Sequence, residues 1–345
     1  MKIGRRAVLT ASVAMPFAKM ARAAPPPAAA LTPELIAAAK ADGKVAWYTA
    51  DDLVLATHVS KEFQEKYGIT VQLERSGAER IYQRISQEFS ANVHAADVVT
   101  SSDVGYLMAW KKTGWIVPYV PAAAAGWRAE AVEADGFYVV DKFTLFISGY
   151  NSRMVKAEDA PRAWVDLLDP KWKGKMVKAH PGYSGAITNG TFALSRLLGW
   201  EFYEKLAKQA VMQVQSATDP PQRIAQGERA VMADAAENTT LRLMGNGAPI
   251  VPVYPTEGVP VVPVGSSILT KAPNPNAAKL FMHYLCSAEC QGFNIGHGAR
   301  SFSTEVREPD NWTKLSSMKL IINDVDALSR ESADIKKRYT QIFGV

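Results

Sequence analysis

Two hydrophobic periods alternate along the first third of the chain. Lys44-Val45-Ala46-Trp47-Tyr48-Thr49 reads as a short strand, Ile69 to Glu74 alternates with period two, and Asp97-Val98-Val99-Thr100 reads as a third strand. Helical patterns separate them. Asp51-Asp52 caps a helix that runs to Tyr67-Gly68, and after Arg75-Ser76-Gly77 another helix carries Ile81, Ile85 and Phe89 on one face. Upstream, Thr32-Pro33-Glu34 opens and Gly43 closes a first helix. Strands alternating with helices predict a parallel α/β sheet, in which ligands bind beyond the carboxyl ends of the strands. Those ends carry small polar or acidic residues: Thr49 to Asp52, Ser76-Gly77, and Ser101-Ser102-Asp103. Each alone is what a helix N-cap requires; three at one sheet edge point to a shared site.

The pattern then changes. FYVVDKFTLFISGY, residues 137–150, is a long apolar run suited to crossing between two domains. Residues 164–240 return to the α/β theme, with strands near Met176–Ala179 and Ala230–Ala233. PIVPVYPTEGVPVVPVG, residues 249–265, predicts a second crossing, and its prolines suit an edge or connecting strand rather than a sheet centre. The remainder reads as mostly helical. No fixed-period repeat occurs, which argues against a solenoid or propeller.

With 345 residues, 48% of them apolar and 21% charged, the composition is that of a globular protein of about two domains. The first 23 residues stand apart. Arg5-Arg6 precede an apolar run from Ala7 to about Ala18, and Ala21-Arg22-Ala23 follows as a small-x-small pattern. This predicts an export signal of the twin-arginine type, cleaved near Ala23, and a periplasmic location. The run is too short for a membrane-spanning helix, and Pro16 and Lys19 interrupt it. Lys2, Arg5, Arg6, Lys19 and Arg22 account for the whole formal charge of +5, so the remaining chain is near neutral and nucleic-acid binding is not expected. The two cysteines, Cys286 and Cys290, have poor i, i+4 geometry for a disulfide on one helix, although a helix newly capped by Ser287 would change that. Two buried thiols are the favoured reading. No Cys/His spacing of a metal site is present, and no cofactor is expected.

One stretch combines several signals. In KAHPGYSGAITNG, residues 178–190, a strand ends at Pro-Gly and a helix starts at Ser184. Free amides at a helix start hold anions, whereas a serine on a strand-to-helix turn also presents nucleophiles in hydrolases. Gly182-Tyr183-Ser184-Gly185-Ala186 lacks the second glycine of the nucleophile elbow, and His180 lies four residues upstream rather than late in the chain. An anion grip is therefore preferred over a serine hydrolase, and no catalytic residue is assigned.

These segments together resemble a known family. Arg75-Ser76-Gly77, Asp97-Val98-Val99, Trp164 to Lys175 (WVDLLDPKWKGK), Tyr183-Ser184-Gly185-Ala186, Gly227-Glu228, and Asn274 to Phe281 with Gln291 resemble, in order and spacing over residues 41–300, the solute-binding proteins of bacterial ABC importers. The ferric-ion-binding group and its relatives for phosphorylated or other anionic solutes are the most similar. The resemblance implies a type II periplasmic-binding fold: two α/β lobes joined by two crossing strands, with the ligand in the cleft between them. It divides the chain into a linker and first helix (24–40), lobe 1 (41–136 and 258–300), lobe 2 with the hinge strands (137–257) and a C-terminal helical segment (301–345). It implies hinge closure on a solute, no enzyme activity, a membrane permease as partner, and a monomer.

It also implies site residues. The family's anion turn falls on Ser184, Gly185 and Ala186, with Tyr183 placed to close over a ligand; Ser76 and Gly77 offer a comparable amide pair on lobe 1, with Ser102 beside them. The tyrosine pair that binds iron in ferric relatives falls on Glu237 and Asn238, followed by Thr239, and the family's glutamate falls on Glu79. Asp51 and Asp52 stand near the place of the ferric histidine, and Tyr254 lies near the returning hinge. Glu plus Asn is a weak set for Fe³⁺. The expected solute is therefore a small anion or zwitterion of the phosphonate, sugar-phosphate or carboxylate type; an Fe(III) carrier using carboxylates is the alternative.

Overall fold

The computed structural model describes residues 26–345; the expected export signal lies outside them. The first half builds α1 (Pro33–Asp42), β1 (Lys44–Thr49), α2 (Leu53–Tyr67), β2 (Thr70–Arg75), α3 (Ala78–Ser90), β3 (Val98–Ser101), α4 (Val104–Thr113), β4 (Ile116–Val117) and the long β5 (Val139–Asn151). There follow β6 (Met176–Ala179), α5 (Gly185–Leu197), α6 (Trp200–Ala207), β7 (Met212–Val214), α7 (Asp219–Ala225), β8 (Val231–Ala236), α8 (Glu237–Gly245), β9 (Ile250–Val253) and β10 (Val259–Leu269). The chain ends with α9 (Pro275–Leu285), α10 (Ala288–Gly296), β11 (Leu320–Ile321) and α11 (Val325–Phe343).

Two parallel half-sheets result. In lobe 1, β1 lies between β2 and β3; in lobe 2, β6 lies between β7 and β8. Two long antiparallel strands connect them, giving the order β2-β1-β3-β10-β5-β8-β6-β7. Residues 139–145 of β5 pair with β10, and residues 146–151 pair with β8 and β9, so one strand serves both lobes. Each half-sheet has helices and apolar side chains on both faces, which is why its strands read as near-continuous apolar runs.

The local signals explain most boundaries. Thr32 accepts the Leu35 amide to cap α1, Asp52 accepts that of Val54 to cap α2, and Gly43 and Gly68 end the two helices in the left-handed conformation. Three expectations are corrected. The Val/Pro segment is not one crossing strand: β9 belongs to lobe 2, Thr256 to Gly258 turn the chain, and only β10 crosses. Nor is β10 peripheral, since it lies between β3 and β5. It tolerates Pro263 because the opposing Phe143 gives both its backbone bonds to Arg300, so no donor is needed there. The C-terminal segment is also not wholly helical, because β11 adds to β10 before α11 starts.

Cys286 closes α9, and Ser287 caps α10 by accepting the Cys290 amide at 3.2 Å. Both thiols are free, buried in the lobe 1 core, and raised in pKa chiefly by that burial.

Candidate functional site

The carboxyl ends of β1, β2 and β3 in lobe 1 face those of β6, β7 and β8 in lobe 2. Between them is a cleft, open to solvent, whose enclosed space is about 130 Å³. Lobe 1 lines it with Asp51 and Asp52 at the start of α2, Arg75, Gly77, Ala78 and Arg80 at the start of α3, and Ser102 before α4. Lobe 2 contributes Tyr183, Ser184, Gly185 and Ala186 at the start of α5, Gln215 to Thr218, and Asn238 on α8. The hinge supplies Lys142, Phe143 and Thr144 from β5.

The lobes touch at two glycines. A Cβ on Gly77 would lie 2.5 Å from the Tyr183 carbonyl oxygen, and one on Gly185 would lie 2.7 Å from the Asp103 Cβ. Asp52 reaches across to Arg242 of α8 at 3.1 Å. This is therefore a closed arrangement.

Charge in the cleft is unevenly committed. Lys142, 3% exposed, lies 2.8 Å from Asp141 and 3.0 Å from Asp51. Burial disfavours its charge, but the two carboxylates outweigh that and raise the ammonium's pKa. Burial raises the Asp141 pKa against the pull of Lys142. Ser266 Oγ donates to Asp141, and Ser266, Thr100 and Trp47 continue a hydrogen-bonded row into lobe 1. Arg75 donates through Nε to the Asp51 carbonyl at 2.9 Å, which pins its guanidinium at the wall. Both cleft aspartates thus have cationic partners, while Arg75 and Arg80 form no ion pair among the described residues.

Ser184 caps α5, its Oγ accepting the Ile187 amide at 3.5 Å. His180 accepts the Gly182 amide at Nδ1 and meets Thr340 at Nε2, without bonding Ser184. Burial first, then the neighbouring Lys178, lowers its pKa to about 4.

Of the expected site residues, Ser184, Gly185, Ala186, Tyr183, Gly77, Asp51, Asp52, Ser102 and Asn238 line the cleft. Five do not. The Ser76 amide donates to the Thr49 carbonyl, so no free pair exists at Ser76-Gly77. Glu79 turns outward to Tyr106 and Lys336. Glu237 is 0% exposed; both its oxygens accept from Arg300 and Oε1 also accepts from Tyr254, which consumes that pair of candidates together. Thr239 is buried away from the cleft. Lys142, Arg80, Thr144 and Gln215 to Thr218 were missed. A Lys inside the apolar 137–150 run was the available signal for Lys142, since a buried charge needs partners. Thr218-Asp219-Pro220 was the helix-start signal for the lobe 2 loop.

Three comparisons fit this geometry. Residues 53–300 match the family model described as bacterial extracellular solute-binding protein. A protein of Haemophilus influenzae is 27% identical over 265 residues, covering 73% of this chain and 75% of its own. A probable ABC transporter periplasmic-binding protein of Sinorhizobium fredii is 24% identical over 236 residues, 64% of each chain. Among solved structures, the periplasmic binding protein AfuA from Actinobacillus pleuropneumoniae, with fructose-6-phosphate bound, superposes with TM-score 0.81 at 22% identity, covering 88% of this chain and 99% of its own. Iron-bound HitA from Pseudomonas aeruginosa gives 0.72 at 18% identity, covering 87% and 99%. These likenesses show the type II periplasmic-binding fold.

Proposed function

The chain belongs to the bacterial extracellular solute-binding proteins, and on that premise we propose that it captures a small organic anion, of the phosphorylated polyol type, for an ABC importer. The observation that carries this is the charge inventory of the cleft. Each cleft carboxylate has a cationic partner, Lys142 (shared with Asp141) for Asp51 and Arg242 for Asp52, while Arg75, Arg80 and the Gly185 and Ala186 amides of α5 are left to face a solute. A charge-assisted hydrogen bond is worth about 1.5–3 kcal/mol. Three or four of them, less ordering costs, approach the roughly 8 kcal/mol of a micromolar complex. Ser102, Thr144, Ser216, Thr218 and Asn238 suit the hydroxyls of such a solute. The sugar phosphate bound by AfuA has this chemistry.

The ferric alternative has less support, although HitA shares the fold. Hard trivalent iron requires several anionic oxygens, and here Glu237 accepts from both Tyr254 and Arg300. Glu79 is held by Lys336.

A thermal-shift screen of sugar phosphates, phosphonates, carboxylates and ferric citrate tests the reading, because a ligand raises the melting temperature by mass action. Phosphorylated compounds are expected to respond. A response to iron alone would refute the proposal.

A further inference from the structure

Glu79, the residue removed from the expected site, has a different set of partners. It meets α11, the last helix, which contacts both lobes. The two contacts differ in kind. Toward lobe 2, α11 buries Leu328, Ile335 and Tyr339, at 0–4% exposure, against Phe192 and the lobe 2 core. Tyr339 donates to Gln213 at 2.7 Å, and Glu331 pairs with Arg196 at 2.6 Å. Toward lobe 1 it packs along α4, with the half-buried Val325 against the lobe 1 core at its start and polar groups farther along. Ser329 passes so close to Gly105 that a Cβ there would lie 3.4 Å from the Ser329 Cβ. Lys336 Nζ donates to Glu79 Oε2 at 2.6 Å, and the Tyr106 hydroxyl bonds both. Burial works against the Glu79 charge, but Lys336 and Tyr106 outweigh it and keep its pKa below the ordinary carboxylate range.

We propose that α11 rides on lobe 2 and that Lys336, Glu79 and Tyr106 form a clasp that holds the lobes together. Lys336 is then a positioning residue for solute capture: it touches no solute, yet it biases the equilibrium between open and closed forms. Large apolar groups buried across one face do not separate without unfolding. The half-buried Val325 and three polar groups across the other can part and be rehydrated, so opening breaks the clasp and leaves the anchor intact. A contact present only in the closed form shifts the population by its own free energy. The proposal rests on the two-lobed fold and is independent of the solute class.

The test uses the mature full-length chain without ligand, measuring its radius of gyration by solution X-ray scattering. Two variants bracket the equilibrium. Lys336→Met removes the clasp. Gly105→Cys with Ser329→Cys places two thiols at about the Cβ separation of a disulfide and fastens α11 to lobe 1. If the ligand-free protein is closed, Lys336→Met expands it; if it is open, oxidising the cysteine pair contracts it and reductant reverses the change. Exchanging the charges, Glu79→Lys with Lys336→Glu, restores the wild-type radius. With fructose-6-phosphate as a probe solute, release from Lys336→Met is expected to be about tenfold faster, which corresponds to about 1.4 kcal/mol. The proposal is overturned if neither variant changes the radius, or if the cysteine pair does not oxidise. A clasp result with no fructose-6-phosphate binding would count against the solute class and leave the clasp standing.

Discussion

The lobe contact at Gly185 allows a direct perturbation of closure. Gly185→Ala adds one methyl group, which in the closed arrangement would lie 2.7 Å from the Asp103 Cβ, 2.8 Å from the Asp103 nitrogen and 3.0 Å from the Ser102 carbonyl carbon. Carbon atoms in contact prefer about 3.5–4.0 Å, so the lobes must separate by the better part of an ångström at that point. The obstructing atoms are backbone or next to it and have no rotamer to change. Overpacking of this size costs about 1–3 kcal/mol, or roughly five- to 150-fold in affinity at 1.4 kcal/mol per decade. Within lobe 2 the change is benign, because residue 185 is the first residue of α5 and alanine is the better helix former. Titration calorimetry with the best anion from the screen should therefore show weaker binding, while the ligand-free melting temperature stays within about a degree of wild type. An affinity within twofold of wild type would refute the closed contact. A ligand-free melting temperature that falls as far as the liganded one would show that the methyl group damages the lobe and not its closure.

Other predictions follow from the buried charges. Lys142→Met leaves Asp141 and Asp51 without their cation, and breaking a buried pair costs about 3–5 kcal/mol; urea unfolding should show the loss and anion affinity should fall with it. Glu237→Gln leaves Arg300 with Glu308 as its remaining carboxylate and so lowers stability by less than Lys142→Met does, but because Glu237 lies outside the cleft, the affinity of the folded fraction should not change. Asp103 is fully buried, and that burial raises its pKa to about 6 despite the nearby Lys336. A carboxyl raised on folding favours the native state below its unfolded pKa of about 4, and this contribution is lost as pH rises through about 6. Asp103→Asn keeps an acceptor for the Gly105 amide, so its stability advantage over wild type should grow between pH 4 and 6 and then level off, at up to about 3 kcal/mol. A difference independent of pH would refute the assignment.

The elements of lobe 1 were legible because their signals are local. Thr32, Asp52, Gly43 and Gly68 lie within a residue of the boundaries they set, and β1 alternates with capped helices. The turn at Ser184 was legible for the same reason. What sequence order hid was pairing at long range. The resemblance placed Glu237 at the cleft, yet Arg300, 63 residues away, takes both its oxygens. Lys142 sits in a run that reads as plain apolar strand, because nothing nearby announces that Asp51 crosses to meet it. The break inside the second crossing segment was hidden because a Val/Pro alternation looks alike in β9 and β10; the turn at Gly258, with φ of 145°, separates them.

The cysteine pair gives the lobes separate clocks. Cys286 and Cys290 are 1% and 0% exposed, lie in the lobe 1 core and are absent from the cleft walls. Opening the cleft does not uncover them, whereas unfolding of lobe 1 does. The rate at which a thiol reagent labels the native protein therefore measures the unfolding of that lobe alone, and the difference between that rate and the rate of solute release separates the lifetime of the domain from the lifetime of its grip.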